Sequence, residues 1–127
     1  MESYKQFIAR KNKQFEEDRE KGKLVGMKDI GRKGRHGFKR EAWTFMVQEN
    51  LKEKVFVIER LRRMEIQGQT VHRKIKIGDF EYRFGYYMIG KIGRAKGKWV
   101  WGQFCPLIPK KDLNKLLYKA SKEGTVN

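Results

Sequence analysis

Cysteine, proline, histidine and serine are all scarce in this chain of 127 residues, and acidic side chains are outnumbered by basic ones. A single cysteine, Cys105, excludes a disulfide framework within the chain. With only two histidines beside it, too few soft ligands remain for a zinc site of the usual Cys/His kind. Ser3 and Ser121 sit near the two ends, which leaves serine-type nucleophilic catalysis without a seat. Cys105 next to Pro106 reads as a small packing residue. No apolar run approaches the roughly 20 residues of a membrane span. Residues 1–23 are too charged to contain the apolar segment of a secretory signal. The expectation is a cytoplasmic protein, nucleoid-associated if it meets DNA, with no membrane partner, no cofactor and no metal.

What is present in excess is positive charge. Thirty-one Lys and Arg against fifteen Asp and Glu give +16 and a pI near 10.1. Residues 1–40 carry net +7, residues 41–90 net +2 and residues 91–127 net +7, so the excess sits at the flanks of a nearly balanced middle. A self-repelling excess of this size is offset most commonly by nucleic acid, DNA or RNA. An acidic protein or a ribonucleoprotein is the other partner class the charge allows. Eight Phe, five Tyr and three Trp argue for a folded core large enough to stand without staples.

The middle of the chain is organised around residues 70–104. Val71, Arg73, Ile75 and Ile77 alternate with His72, Lys74 and Lys76, which predicts a strand. Gly78-Asp79 suits a two-residue hairpin turn. The return strand then carries Phe80, Tyr82, Phe84, Tyr86 and Met88 at strict period two. In that register Ile77 faces Phe80, Ile75 faces Tyr82, and Lys76 faces Glu81 as an opposite-charge cross-strand pair. A cationic loop follows with Lys91, Arg94, Lys96 and Lys98, then a strand over 99–104 with Trp99, Trp101 and Gln103 on one side.

Elsewhere, residues 4–21 read as a helix with a narrow stripe of Tyr4, Phe7, Ile8, Lys11 and Phe15, capped by Ser3 with Gln6 completing a capping box. The stripe fades after Phe15, so the helix is expected to project or to pack by its first half. Residues 22–40 mix five glycines with cations and show neither period; they read as a basic arm, or as a plain solvated linker. Residues 41–48 alternate as a strand, 50–54 as a turn or short helical link, and Val55 to Ile58 as a buried strand. Leu51, Val55, Ile58, Leu61 and Met64 also fall at helical spacing, but Phe56 would then face the wrong way. Arg60, Arg62 and Arg63 follow, either for phosphate or to pair with Glu59 and Glu65. Gln67-Gly68-Gln69 reads as a turn. After Pro106 and Pro109, residues 110–122 form a helix with Leu113, Leu116, Leu117 and Ala120 as its apolar face and Gly124 as its stop.

Metal-dependent nuclease chemistry needs carboxylates beside a lysine. Asp79, Glu81 and Arg83, with Glu41 or Glu59, imitate that pattern poorly; Asp79 fits a turn and Glu81 fits a cross-strand partner. His72 is the better placed of the two histidines as a general base. No catalytic residue is assigned, and a small nuclease using Glu81 and His72 remains the alternative. The five period-two residues Phe80 to Met88 read as core. Tyr87, Trp99 and Trp101 exceed what one small sheet buries and read as base contacts, unless the sheet closes or is covered on both faces.

The sequence therefore predicts an α+β fold: a curved antiparallel β-sheet or small β-barrel of about five strands with flanking N-terminal and C-terminal helices. Residues 1–40 form an N-terminal helix plus arm and residues 41–127 a single α+β domain. The leading expectation is a non-enzymatic nucleic-acid-binding protein. Arg32, Lys33, Arg35, Lys39 and Arg40 grip phosphate from one side and Lys91, Arg94, Lys96 and Lys98 from the other, with Arg83 a further nucleic-acid-binding residue. Tyr87, Trp99 and Trp101 contact bases.

Overall fold

The structure, a computed structural model, describes residues 1–27, 35–67 and 76–127. The chain forms α1 (Tyr4–Glu20), β1 (Leu24–Met27), β2 (Arg35–Gln48), β3 (Leu51–Gln67), β4 (Phe80–Ile89), β5 (Trp99–Trp101) and α2 (Lys110–Lys122). The five strands make one antiparallel meander in the order β1-β2-β3-β4-β5, curled into a half-barrel with the two helices flanking it. The expected fold class is the one observed.

Both helices begin and end where the sequence signals them. Ser3 Oγ accepts from the Gln6 N–H and Gln6 Oε1 accepts from the Ser3 N–H, the reciprocal capping box. Gly124, at φ +78°, closes α2 while the Thr125 N–H donates to the Ala120 carbonyl. Thr44 Oγ1 on β2 then donates to the Glu123 carboxylate and shares a hydroxyl–hydroxyl bond with Thr125 Oγ1, pinning the end of α2 to the sheet. At the other end of α2, the Asp112 carboxylate accepts from the Glu49 N–H in the β2–β3 turn.

Strand alternation divides the core in two. On one face α1 covers Phe45, Val55, Val57, Tyr87, Ile89 and Trp99 through Phe7 and Phe15. On the other, α2 covers Phe56, Ile58 and Tyr86 through Leu116 and Ala120. Phe15 is buried, so α1 packs along more than its first half. The apolar face of α2 is narrower than its sequence implies. Asp112, Leu116 and Ala120 are buried at every fourth residue, whereas Leu113 and Leu117 face outward.

Several expectations need correction. Of the stretch 22–40 read as an arm, Leu24–Met27 and the residues from Arg35 onward are strands, and β2 runs through residue 40 without a break. Its glycines obscure the period, and bulges at Gly37/Phe38 and Arg40/Ala42 shift it twice. Residues 51–54 belong to β3, which swallows the Arg60–Arg63 cluster as well. The strand reading of 55–58 holds against the helical one. β5 is only three residues long, after which Gly102 donates to Tyr86 and the chain leaves the sheet. The organising hairpin is shifted too. The turn is centred on Ile77-Gly78, with the Asp79 N–H donating to the Lys76 carbonyl and Gly78 at φ +94°. That places glycine at the third turn position, where positive φ is required. Phe80 pairs with Arg62 and Glu81 with Leu61, so β4's partner is β3. Val71, His72, Arg73, Lys74 and Ile75, and Gly68 with Gln69, lie outside the described residues.

Candidate nucleic-acid interface

Alternation on β3 and β4 sends odd-numbered side chains beneath α1 and even-numbered ones to the α2 side. Beneath α1 the arginines are engaged with carboxylates. Glu59, fully buried, accepts from Arg40 Nε at 2.7 Å and from Arg83 Nε at 2.6 Å. Arg63, also buried, donates to Glu81 at 2.7 Å. The Arg40 guanidinium lies 3.7 Å from the centre of the Phe15 ring and 3.8 Å from Asp18. Arg40 and Arg83, expected to hold phosphate, are thus structural. Buried guanidinium groups need a counter-charge, and the acids that supply it come from three different elements of the fold.

Two of the three aromatic assignments invert, while Trp101 is exposed as expected. Tyr87 and Trp99, expected to meet bases, are only 8% and 9% exposed. The Trp99 ring stacks on Phe7 at 4.7 Å between centroids, and its indole N–H donates to the Glu2 carbonyl. Burial pushes the Tyr87 hydroxyl up to about 12, with the Glu59 carboxylate adding to the rise and Arg83 opposing it. Trp101 is partly exposed, edge-on to Tyr87 and beneath the Arg83 guanidinium. A cleft of about 310 Å³ between α1 and the sheet is lined by Lys11, Asp18, Lys23, Arg40 and Tyr87 among others. Burial, with Arg10 and Arg40 nearby, holds the Lys11 amine below its usual range.

On the α2 side, Phe80, Tyr82 and Phe84, expected in the core, are 44%, 42% and 37% exposed. The reason is length. A 13-residue helix spans about 20 Å, the extent of about six residues of strand. α2 therefore covers the sheet at Tyr86 and leaves the first half of β4 open. The three rings stand at alternate positions, about 7 Å apart along the strand. Arg62 lies over Phe80 at 4.8 Å, and Phe80 meets Tyr82 edge to face at 5.9 Å. Across the sheet, Lys39, Arg62 and Phe80 make one row and Ala42, Arg60 and Tyr82 the next. Glu41, in the β2 bulge, accepts from Arg60 and from two nitrogens of Arg62, and those guanidinium groups hold its carboxyl below the usual range. Arg60 and Arg62 thus pair with Glu41, and Arg63 with Glu81; the sequence neighbours Glu59 and Glu65 are not their partners in these bonds.

The basic loop 91–98 is built. The Gly90 N–H donates to Lys98, Gly97 to Gly90 and Lys98 to Ala95 around a single 3-10 turn at Gly93–Ala95. It presents Arg94, Lys96 and Lys98 to solvent, while Lys91 pairs with Glu53 at 2.6 Å. Lys39 lies on the ring side of the sheet, and Arg35 opens β2 opposite Gln67. Arg32 and Lys33 lie outside the described residues. β4 ends at Ile89, five residues beyond Phe84 and about 17 Å along the strand, and the loop follows it.

The carboxylates of the nuclease alternative have other duties: Asp79 Oδ2 accepts the Lys76 N–H in its turn, and Glu81 holds Arg63. His72 lies outside the described residues. Among the described residues no cluster of three or more His, Cys, Asp or Glu side chains could hold a metal ion, and no helix is long and apolar enough to cross a membrane. No protein-family model matches the chain, and no curated protein or solved structure matches it significantly.

Proposed function

We propose that this chain is a non-enzymatic nucleic-acid-binding protein whose contact surface is the ring-bearing half of β4, and that it takes unpaired strands. The observation that carries this reading is the solvent exposure of Phe80, Tyr82 and Phe84 at alternate strand positions beside Lys39, Arg60 and Arg62. Large apolar rings on a protein surface are unfavourable unless something covers them. A base presents a flat face to such a ring, and stacking contributes about 1–3 kcal/mol per base. Bases inside a duplex are already stacked, which favours single strands. Arg94, Lys96 and Lys98 supply phosphate contacts at a distance, as a cationic tether for the same strand. On this reading the protein works in the cytoplasm, with DNA or RNA.

The test is fluorescence anisotropy with matched single- and double-stranded DNA and RNA oligomers. Neutralising six to ten phosphates lowers affinity about 10³- to 10⁵-fold between roughly 50 and 200 mM salt. Single strands are expected to bind more tightly than duplexes at both salts. An affinity that ignores salt, or equal affinity for duplex and single strand, overturns the reading and turns attention to an acidic protein partner.

A further inference from the structure

The outer strands of the sheet are short, and among the described residues they leave two longer stretches without a neighbour, Arg40–Gln48 of β2 and Phe80–Gly85 of β4; the second has a self-complementary sequence. β1 is four residues and β5 three. β5 stops at Gly102, whose N–H donates to the Tyr86 carbonyl, so the side of β4 from Phe80 to Gly85 that faces away from β3 has no strand beside it among the described residues. The phase of the ladder follows from two bonds. Asp79 accepts from Arg63 on the β3 side, and Tyr86 accepts from Gly102 on the β5 side. Odd-numbered backbone groups of β4 therefore point to β3, and those of Phe80, Tyr82 and Phe84 point out of the open edge. The stretch contains no proline, lysine or bulge to block the edge, and its two inward charges, Glu81 and Arg83, are of opposite sign.

We propose that this edge pairs with a second copy of itself, antiparallel about a two-fold axis at Tyr82, to make one continuous sheet. The sequence Phe80-Glu81-Tyr82-Arg83-Phe84 is self-complementary in that register. Tyr82 meets Tyr82, Phe80 meets Phe84, and Glu81 meets Arg83 at the closely spaced, non-hydrogen-bonded positions, where Cα atoms come within about 4.5 Å. A two-residue slip in one direction sets Glu81 against Glu81, and in the other Arg83 against Arg83. Charge thus selects the central register over its two nearest neighbours in the same hydrogen-bond phase. Glu81 and Arg83 keep their bonds to Arg63 and Glu59, since carboxylate and guanidinium each serve several partners. The interface is isologous and closes. It brings six exposed rings onto one face, doubling the surface assigned above to bases, although the pairing itself does not depend on that assignment.

The test contains no nucleic acid, so it fails or succeeds separately from the binding experiment. In a Cys105→Ser background, Tyr82→Cys is oxidised mildly. The facing Cα atoms of a hydrogen-bonded pair are about 5.5 Å apart, within disulfide reach. Phe80→Cys alone and Phe84→Cys alone place like residues about 13 Å apart along the strands, and should cross-link at least about tenfold more slowly. Mixing those two variants should give the cross-linked heterodimer. Sedimentation of the wild-type chain is expected to show a dimer that strengthens with salt, because salt screens the repulsion of two +16 chains. Tyr82→Pro removes an outward N–H and an exposed ring that touches Phe80, and should leave a folded monomer. If that variant does not fold, the cysteine series decides alone. A wild-type chain that stays monomeric at every concentration and salt, or Tyr82→Cys cross-linking no faster than Phe80→Cys, overturns the proposal.

Discussion

Glu59 and Arg83 face each other across β3 and β4 with Arg83 Nε 2.6 Å from Glu59 Oε2, and the carboxylate has no exposure to solvent. Its other oxygen holds Arg40 at 2.7 Å, so one buried acid joins β2, β3 and β4 beneath α1. In a chain with twice as many cations as acids, this acid has a structural role that no surface carboxylate could take over.

Glu59→Gln is therefore expected to destabilise the fold by about 3–5 kcal/mol, because it strips the counter-charge from two inward guanidinium groups while keeping the shape. Arg83→Met should cost less, since Arg83 is partly exposed and Glu59 retains Arg40. Urea unfolding followed by circular dichroism measures both. A Glu59→Gln midpoint equal to wild type would remove the Arg40–Glu59–Arg83 ion pairs from the account of stability.

Two glycines beside β5 make a second, contrasting pair. A Cβ at Gly102 would lie 2.2 Å from the ring of Tyr86, which is buried and cannot retreat. A Cβ at Gly85 would lie equally close to the ring of Trp101, which is partly exposed and can swing outward. Gly102→Ala should cost about 1–3 kcal/mol, the usual range for overpacking, and Gly85→Ala distinctly less. Thermal melts of the two variants settle the order, and equal losses would mean that Trp101 is held as firmly as Tyr86.

The ring surface predicts a division of labour in binding. Phe80→Ala and Tyr82→Ala should each weaken single-strand affinity about 5- to 150-fold, the equivalent of 1–3 kcal/mol per stacked base. Their salt slopes should remain as in wild type. Lys96→Ala should weaken binding to all sequences alike and reduce the slope of log affinity against log salt by roughly one. Ring variants that bind as wild type would show that the strip faces something other than bases.

These contrasts also mark what was legible beforehand. The helix caps at Ser3 and Gly124 could be read locally, because capping is a matter of residues three or four apart. Period two located β4, yet alternation gives two faces without saying which is covered or for how far. Phe80 and Tyr86 occupy equivalent positions in the pattern. Only the short reach of α2 separates an exposed ring from a buried one. The partners of the arginines were less legible still. Glu41 reaches Arg62 across twenty-one residues because a bulge turns it toward β3, and no spacing rule encodes that meeting. Residues 35–40 are hidden for the same reason: their pairing with β3 is long-range, while the glycines that suggest an arm are local.

Alkaline titration offers a last test of which aromatic groups are inside. Tyr87 has its hydroxyl raised from an ordinary value near 10 to about 12, chiefly because burial disfavours the anion. A folded pKa above the unfolded one means that the neutral hydroxyl is favoured in the native state. That contribution to stability is complete below about pH 10 and is lost as pH rises from there through about 12. Absorbance at the tyrosinate band should therefore show a late component that disappears in Tyr87→Phe. The same variant should lose less stability between neutral pH and pH 11 than wild type does. A Tyr87 that ionises at its ordinary value near 10 would place its ring in solvent and return it to the surface as a candidate base contact.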